Sequence, residues 1–312
     1  MPLCFFVSDL HGNNSRYRRL FAAVAGERPA AVLLGGDLLP MTWPGGFSAN
    51  PEQSFGAGML TKGFRRLRQN LKGSYPRVFL ILGNDDLRTE EETVLEGASQ
   101  GLWDYVHEAR IEFGEYSVFG YADVNPTPFL LKDWERYDVS RYLDPGAVSP
   151  EEGFRSVPVP DNEAKYATIK DDLERLTAGR DLSRAIFLFH APPYRTNLDL
   201  TRSSGKSIDH VPLDDHLGSI AIRRFIESRQ PLLTLHGHIH ESARLSGNWR
   251  DRLGRTWCLS AAHDGPDLAL VRFDPERLDD ASRELMSSPL NDGAEEPRPS
   301  GAGGRRRSRR RS

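Results

Sequence analysis

The chain is poor in cysteine. Two in 312 residues, Cys4 and Cys258, cannot build a disulfide framework or a four-thiolate zinc site. Long apolar runs are missing as well: the longest, such as Val78–Leu82, are strand-sized, far short of the roughly 20 residues that span a bilayer. The N-terminus has no basic stretch followed by a long apolar one, since Pro2–Val7 runs straight into a polar cluster; the expectation is a reduced, cytoplasmic protein with no membrane partner. There is no internal repeat. A surplus of one charge is also lacking overall, with Lys+Arg 41 against Asp+Glu 44. The balance is uneven along the chain, however. Between Asn291 and Ser312 stand seven arginines and three acids, so the other residues carry 34 positive and 41 negative charges, net -7. An acidic body argues against a duplex-binding surface spread over the fold. The run Arg305–Arg311 lies in a Gly/Ser/Pro-rich segment with almost nothing to bury, so residues 287–312 read as a disordered tail. Nucleic-acid contact through that tail is the lesser alternative to a solubilising role.

What is present is an ordinary globular composition, 38% hydrophobic and 27% charged, at a length near the upper limit for one core. Leu3–Ser8, Ala30–Leu34 and Arg77–Leu82 read as buried strands, each cut off by polar residues or glycine. Ser15–Ala25 and Phe55–Leu71 read as helices between them, the second weakened by three glycines. Thr89 and Glu92 offer a capping box for a short helix. Trp103–His107, Arg110–Phe113 and Tyr116–Tyr121 read as edge or meander strands. Residues 123–160, rich in Pro, Asp and aromatics without a clear period, read as an insertion over one end of the sheet. Further on come a helix at 162–176, a strand at Ala185–Phe189, a helix at 216–228, a strand at Pro231–Leu235 and β-type runs at 244–259 and 268–273. Strands alternating with helices indicate an α/β layered fold. One domain, 1–286, followed by the tail, is the simplest division.

Each apolar strand ends in a turn that delivers Asp, His or Asn. The five turns are Ser8-Asp9-Leu10-His11-Gly12-Asn13, Gly35-Gly36-Asp37, Gly83-Asn84-Asp85-Asp86, Phe189-His190 and His236-Gly237-His238-Ile239-His240. Ligands collect at the carboxyl ends of strands in open α/β sheets, so these turns would converge on one crevice. Asp9 with His11, and His238 with His240, are two apart and point the same way in extended backbone. Carboxylate, imidazole and amide oxygen suit borderline or hard divalent ions such as manganese, iron, zinc or magnesium. Asp9, His11, Asp37, Asn84, His190, His238 and His240 are too many for one tetrahedral centre and about enough for two metals sharing a carboxylate.

In order and spacing these blocks resemble the calcineurin-like metallophosphoesterase superfamily: Asp9-x-His11, Gly36-Asp37, Gly83-Asn84, an isolated His190 and Gly237-His238-x-His240. The resemblance implies a four-layer α/β/β/α sandwich of two mixed sheets flanked by helices. It implies two divalent metal ions, manganese being the first expectation. Asp9, His11 and His240 would hold one ion and Asn84, His190 and His238 the other, with Asp37 bridging. The implied chemistry is hydrolysis of a small-molecule or nucleotide-like phosphate ester by a metal-bridging hydroxide. Many members carry His after Gly-Asn as the proton donor; here Asp85 stands there, which favours a phosphodiester substrate over a phosphomonoester or phosphoprotein. Asn84, Asp85 and His11 are the candidates for the chemistry, and Asn13, Asn84 and His216 for substrate contact. Pro40 stands where the family often has a further polar residue after Gly-Asp. The stretches Asn125–Phe129 and Pro192–Asp199 resemble a bacterial and archaeal branch of the same superfamily. Scaffold proteins of this fold have degraded ligand sets, and none of the seven is lost here. His236 belongs to its strand and reads either as core or as a support behind the ligands. The aromatics Tyr121, Phe129, Trp134 and Tyr137 are expected to pack the insertion, with a base-binding wall as the lesser alternative. Oligomeric state leaves no mark in the sequence.

Overall fold

Strands that are apolar on both faces need cover on both sides, and that requirement organises the molecule. The computed structural model describes residues 2–40, 59–202, 207, 208 and 210–287. Its strands are β1 (Cys4–Val7), β2 (Ala31–Gly35), β3 (Arg77–Ile81), β4 (Asp104–Tyr105), β5 (Arg110–Phe113), β6 (Tyr116–Tyr121), β7 (Ala185–Phe189), β8 (Ser207–Ile208), β9 (Val211–Pro212), β10 (Leu233–His236), β11 (Arg250–Leu253), β12 (Thr256–Ser260), β13 (Leu268–Phe273) and β14 (Ser282–Met286). One six-stranded sheet runs β14-β13-β1-β2-β3-β4, parallel from β1 to β4 and antiparallel beyond. The other runs β11-β12-β10-β7-β6-β5, parallel from β12 to β6 with antiparallel edges.

The alternation along β7 shows how the two sheets meet. Ile186 and Leu188 join the cluster that includes Phe6, Leu33, Phe79 and Ile81 of the first sheet. Phe187 and Phe189, pointing the other way, pack with Ile169, Leu173, Ile222 and Phe225. The sheets are therefore face to face, with helices on both outer faces. Over the first sheet lie α1 (Asn14–Glu27), α2 (Thr61–Leu71) and α3 (Glu91–Ser99), which bury Leu20, Val24, Phe64, Leu67 and Val94. Beyond the second lie α5 (Ile169–Thr177), preceded by α4 (Asp161–Tyr166), and α6 (Ile220–Arg229). A short α7 (Ser242–Ser246) follows β10. Among the described residues no helix is long and apolar enough to cross a membrane.

Several boundaries differ from the sequence reading, each for a local reason. The helix expected at 162–176 is two, because the Thr168 hydroxyl accepts from the Asp171 N–H and starts a new one. The helix expected from His216 begins at Ile220, capped by Ser219 and by Asp138, which accepts from the N–H groups of Ile220 and Ala221. No capping box forms at Thr89 and Glu92; the Thr89 N–H donates to Ser156, and α3 starts at Glu91 without a side-chain cap. The helix expected from Phe55 starts at Thr61, residues 55–58 lying outside the described residues. The β-type run expected from Arg244 opens with α7, which Gly247 ends at φ 75°, and pairing starts at Arg250. Tyr116–Tyr121, expected as an edge or meander strand, forms a hairpin with β5 and continues the sheet to β7, and the sequence reading holds no counterpart of β14. The tail from residue 288 lies outside the described residues.

His236 packs in the core as expected. Its ring stacks on Phe189, continuing a series through Phe187 and Phe119. Nδ1–H donates to the Ala191 carbonyl at 2.9 Å, and Nε2 accepts from the Thr234 hydroxyl at 2.8 Å. Burial holds the imidazole neutral and lowers its pKa from 6.5 to about 4. The unfolded chain takes up that proton first, so stability from this group is full above pH 6.5 and lost as pH falls toward 4. About 3 kcal/mol is at stake. Urea unfolding at pH 7 and pH 4.5 should show a steeper acid loss in the parent than in His236→Gln; equal slopes would refute the assignment.

Candidate metal centre

The loops after β1 and β2 stay in register beyond the strands, with the Asp9 N–H donating to Gly36 O at 3.0 Å and the His11 N–H to Asp37 O at 2.8 Å. Asp9, His11, Asp37 and His238 all have positive φ, at 55°, 44°, 52° and 74°. Side chains avoid that region, and each such residue costs of order 1–3 kcal/mol, held by the surrounding structure. Gly83 makes room for the arrangement: a Cβ there would stand 2.3 Å from Asp37 Oδ1 and 2.5 Å from its N. Asp86 ties the loops together. Its buried carboxylate accepts the N–H groups of Leu38, Leu39 and Gly83 at 2.8–3.1 Å.

Around this frame the donor atoms converge. Atoms of Asp9, His11, Asp37 and His240 lie within 4.8 Å of one another. His11 Nε2 and His240 Nε2 are 3.1 Å apart, and His240 Nε2 is 3.3 Å from Asp9 Oδ1. Asp9 is oriented by the Ser8 hydroxyl on Oδ2 and the His238 N–H on Oδ1. On the other side His190 donates Nδ1–H to Gly35 O at 2.8 Å, which leaves the Nε2 lone pair 3.1 Å from Asn84 Oδ1 and 3.2 Å from Asp37 Oδ2. The His190 and His238 rings sit 5.2 Å apart. Asp37 faces both groups, because its Oδ2 is also 3.8 Å from His11 Nε2.

Lone pairs aimed at one another in a buried space need a positive charge between them. The ionisation of the free side chains reflects that need. Burial alone would raise the Asp9 and Asp37 carboxyls; the surrounding imidazoles instead hold Asp9 far below the usual carboxylate range and Asp37 at about 2. Burial would depress His190, yet Asp37 lifts it to about 10. An all-oxygen-and-nitrogen set of this geometry fits divalent cations without thiolate. Asp85 is different. Burial and the Asp37 carboxylate push it up to about 7, and its Oδ2 lies 3.7 Å from His11 Nδ1.

All seven residues read from the sequence as ligands are thus in one place, at the carboxyl ends of β1, β2, β3, β7 and β10. Two candidates for substrate contact are elsewhere engaged. The Asn13 side-chain oxygen caps α1, accepting from the N–H groups of Ser15 and Arg16. His216 hydrogen-bonds Asp199 at 2.9 Å, within a loop that Asp199 also clamps through the N–H groups of Arg195, Thr196 and Gly218. Ser8 and Asp86 escaped the sequence reading as supports of the centre. Asp86 shares a turn with Asn84 and Asp85, but nothing in its type says that it faces backbone donors.

A cleft of about 460 Å³ opens over Asp37, Asn84, Asp85, His238 and His240, walled by residues 125–129, Asp144, Pro145 and Ala147 of the insertion and by Leu217 and Glu241. Strand-end carboxylates and imidazoles beneath an open cleft, on two facing mixed sheets, describe a metal-dependent phosphoesterase. The family model for calcineurin-like phosphoesterases matches residues 4–242, and the chain belongs to that family. Similar solved structures include TT1561 of Thermus thermophilus, at 15% identity and a TM-score of 0.54, covering 91% of this chain and 98% of that one. A dimetal phosphatase from Danio rerio is similar at 13% identity and a TM-score of 0.50, covering 87% and 91%. At these identities the likeness is one of fold. No curated protein sequence matches the chain.

Proposed function

We propose that the protein hydrolyses phosphodiesters with two divalent cations, manganese before iron, zinc or magnesium. The observation that carries the reading is the convergence of the Asp9, His11, Asp37 and His240 donor atoms within 4.8 Å, with Asn84 and His190 against the same Asp37. Asp9, His11 and His240 would hold one cation, Asn84, His190 and His238 the other, and Asp37 both. Bound there, the pair supplies Lewis acidity to the phosphate oxygens and a water acidified toward neutrality. The chain's own groups do the rest. The Gly35 carbonyl fixes the His190 tautomer. Asn84 presents its oxygen to the centre and its Nδ2–H to Asp85 Oδ1 at 3.1 Å, which keeps the Asp85 carboxyl at the floor of the cleft. From there Asp85 would deliver its proton to the departing oxygen.

Two measurements test this. Bis-p-nitrophenyl phosphate should be cleaved in preference to p-nitrophenyl phosphate, with manganese present and not with chelator; preference for the monoester would favour a phosphomonoesterase of the same fold. Asp85→Asn should lower turnover of an alkyl diester by about 10²–10⁴-fold. The same variant should change cleavage of the bis-p-nitrophenyl ester less than about threefold, because nitrophenolate leaves without a proton. Equal losses on both substrates would take Asp85 out of the acid role.

A further inference from the structure

The cleft wall is built with more care than a surface loop requires. Lys132 and Glu135 are both wholly buried and paired at 2.6 Å. Ion pairs so deep cost more to desolvate than their attraction alone returns, and here their hydrogen bonds converge on one residue. Thr127 gives its N–H and hydroxyl to the Glu135 carboxylate at 2.9 and 2.5 Å, and its carbonyl accepts from Lys132 Nζ at 2.9 Å and from the Val148 N–H at 3.0 Å. The Thr127 hydroxyl in turn accepts the Phe129 N–H at 3.1 Å. Pro126 and Pro128 stiffen the same stretch. The outcome is a rigid wall that lines the cleft and presents Phe129, 61% exposed, beside it. Leu217, 41% exposed, lines the cleft as well. Of the four aromatics singled out in the sequence, Tyr121, Trp134 and Tyr137 are buried, and Phe129 alone stands open.

Charge sharpens the picture. Among the described residues lining the cleft there is no lysine or arginine, and apart from Asp37 and Asp85, which belong to the centre, the charged groups are the acids Asp144 and Glu241. A substrate bearing further phosphates would meet carboxylates with no cationic partner from these walls.

We propose that the cleft selects phosphodiesters whose second alcohol is apolar and uncharged, aryl before alkyl, with Phe129 and Leu217 as the specificity-determining contacts and against polyanionic esters. This rests on the phosphodiesterase reading above. Lys132 and Glu135 act through Thr127 and are positioning residues.

The test compares p-nitrophenyl diesters that share leaving group and scissile charge and differ in the second substituent: methyl, phenyl, and an alkyl chain ending in a phosphate. The phenyl ester should have a KM about tenfold below the methyl ester, and the phosphate-bearing one a KM about tenfold above it. Phe129→Ala should erase the phenyl advantage while moving the methyl ester less than twofold. Calorimetry of phenylphosphonate against methylphosphonate on the manganese-loaded protein should repeat the preference without turnover. Equal binding of the two phosphonates, or a Phe129→Ala loss shared equally by phenyl and methyl, would overturn the proposal. So would a phosphate-bearing ester that is bound as well as the methyl one. If neither ester were cleaved while the phosphonates still bound with the phenyl preference, the wall assignment would stand and the phosphodiesterase reading would fall. If no phosphonate bound either, both would fall.

Discussion

Asp37→Ala is expected to leave the folded protein with less than one equivalent of metal in place of two, and to reduce turnover by about a thousandfold or more. The reasoning is geometric. Asp37 Oδ2 stands 3.2 Å from His190 Nε2 and 3.8 Å from His11 Nε2, so one carboxylate faces both halves of the centre and is placed to be shared. Its other oxygen accepts the Asp85 N–H at 2.9 Å, so the loop carrying Asn84 and Asp85 leans on the same side chain. Truncation would remove a shared negative charge, leave two imidazole clusters facing one another, and release that loop. Metal content of the dialysed protein and cleavage of bis-p-nitrophenyl phosphate read the two effects separately. Two equivalents retained, with turnover near the parent's, would show that Asp37 is not shared.

Asp86→Ala should have the largest effect on stability, a loss of about 3–5 kcal/mol in urea unfolding. Three buried N–H groups, those of Leu38, Leu39 and Gly83, would lose their acceptor at once. Each such orphan costs roughly 1–3 kcal/mol, and neighbours within one network do not add fully. Because these donors belong to the loops after β2 and β3, the same change should loosen Asp37 and Asn84 and lower metal affinity. A stability loss below about 1 kcal/mol would mean that water takes over the three bonds.

The convergence of the seven residues was legible because their types are hard to account for otherwise. Aspartate, asparagine and histidine directly after apolar runs have no packing reason to be there, and five such places in order leave few alternatives. What holds them was not legible. Positive φ at Asp9, His11, Asp37 and His238 is imposed by backbone bonds to loops far away in sequence, such as Asp9 to Gly36 and Gly12 to Leu38. Asn13 and His216 each lie in or near a site motif, and a structural bond that the sequence does not announce occupies part of each side chain, a helix end in one and Asp199 in the other. Strands β1, β2, β3, β7 and β13 were read within a residue or two, since a fully apolar run has one simple explanation. The break at Thr168 depends on a single hydroxyl cap and the late start of α6 on the Ser219 hydroxyl with the Asp138 carboxylate, and such caps weigh little in any periodicity. Strand β14 alternates poorly, and its pairing with β13 supplies the order that its composition does not. The insertion was the least legible stretch, because its framework is one buried ion pair and a few isolated bridges in place of a regular element.

The ligand loops are not drawn from one side of the molecule. Asp9, His11, Asp37 and Asn84 follow strands of the first sheet, whereas His190, His238 and His240 follow strands of the second. With the assignment proposed above, each cation would have partners on both sheets, so the centre works as a pair of rivets through a sandwich whose layers otherwise adhere through side-chain packing. Chelation should then reach beyond the cleft and lower the temperature at which the two layers come apart. A gain of metal affinity anywhere in the centre would be felt as rigidity in strands that never approach the substrate.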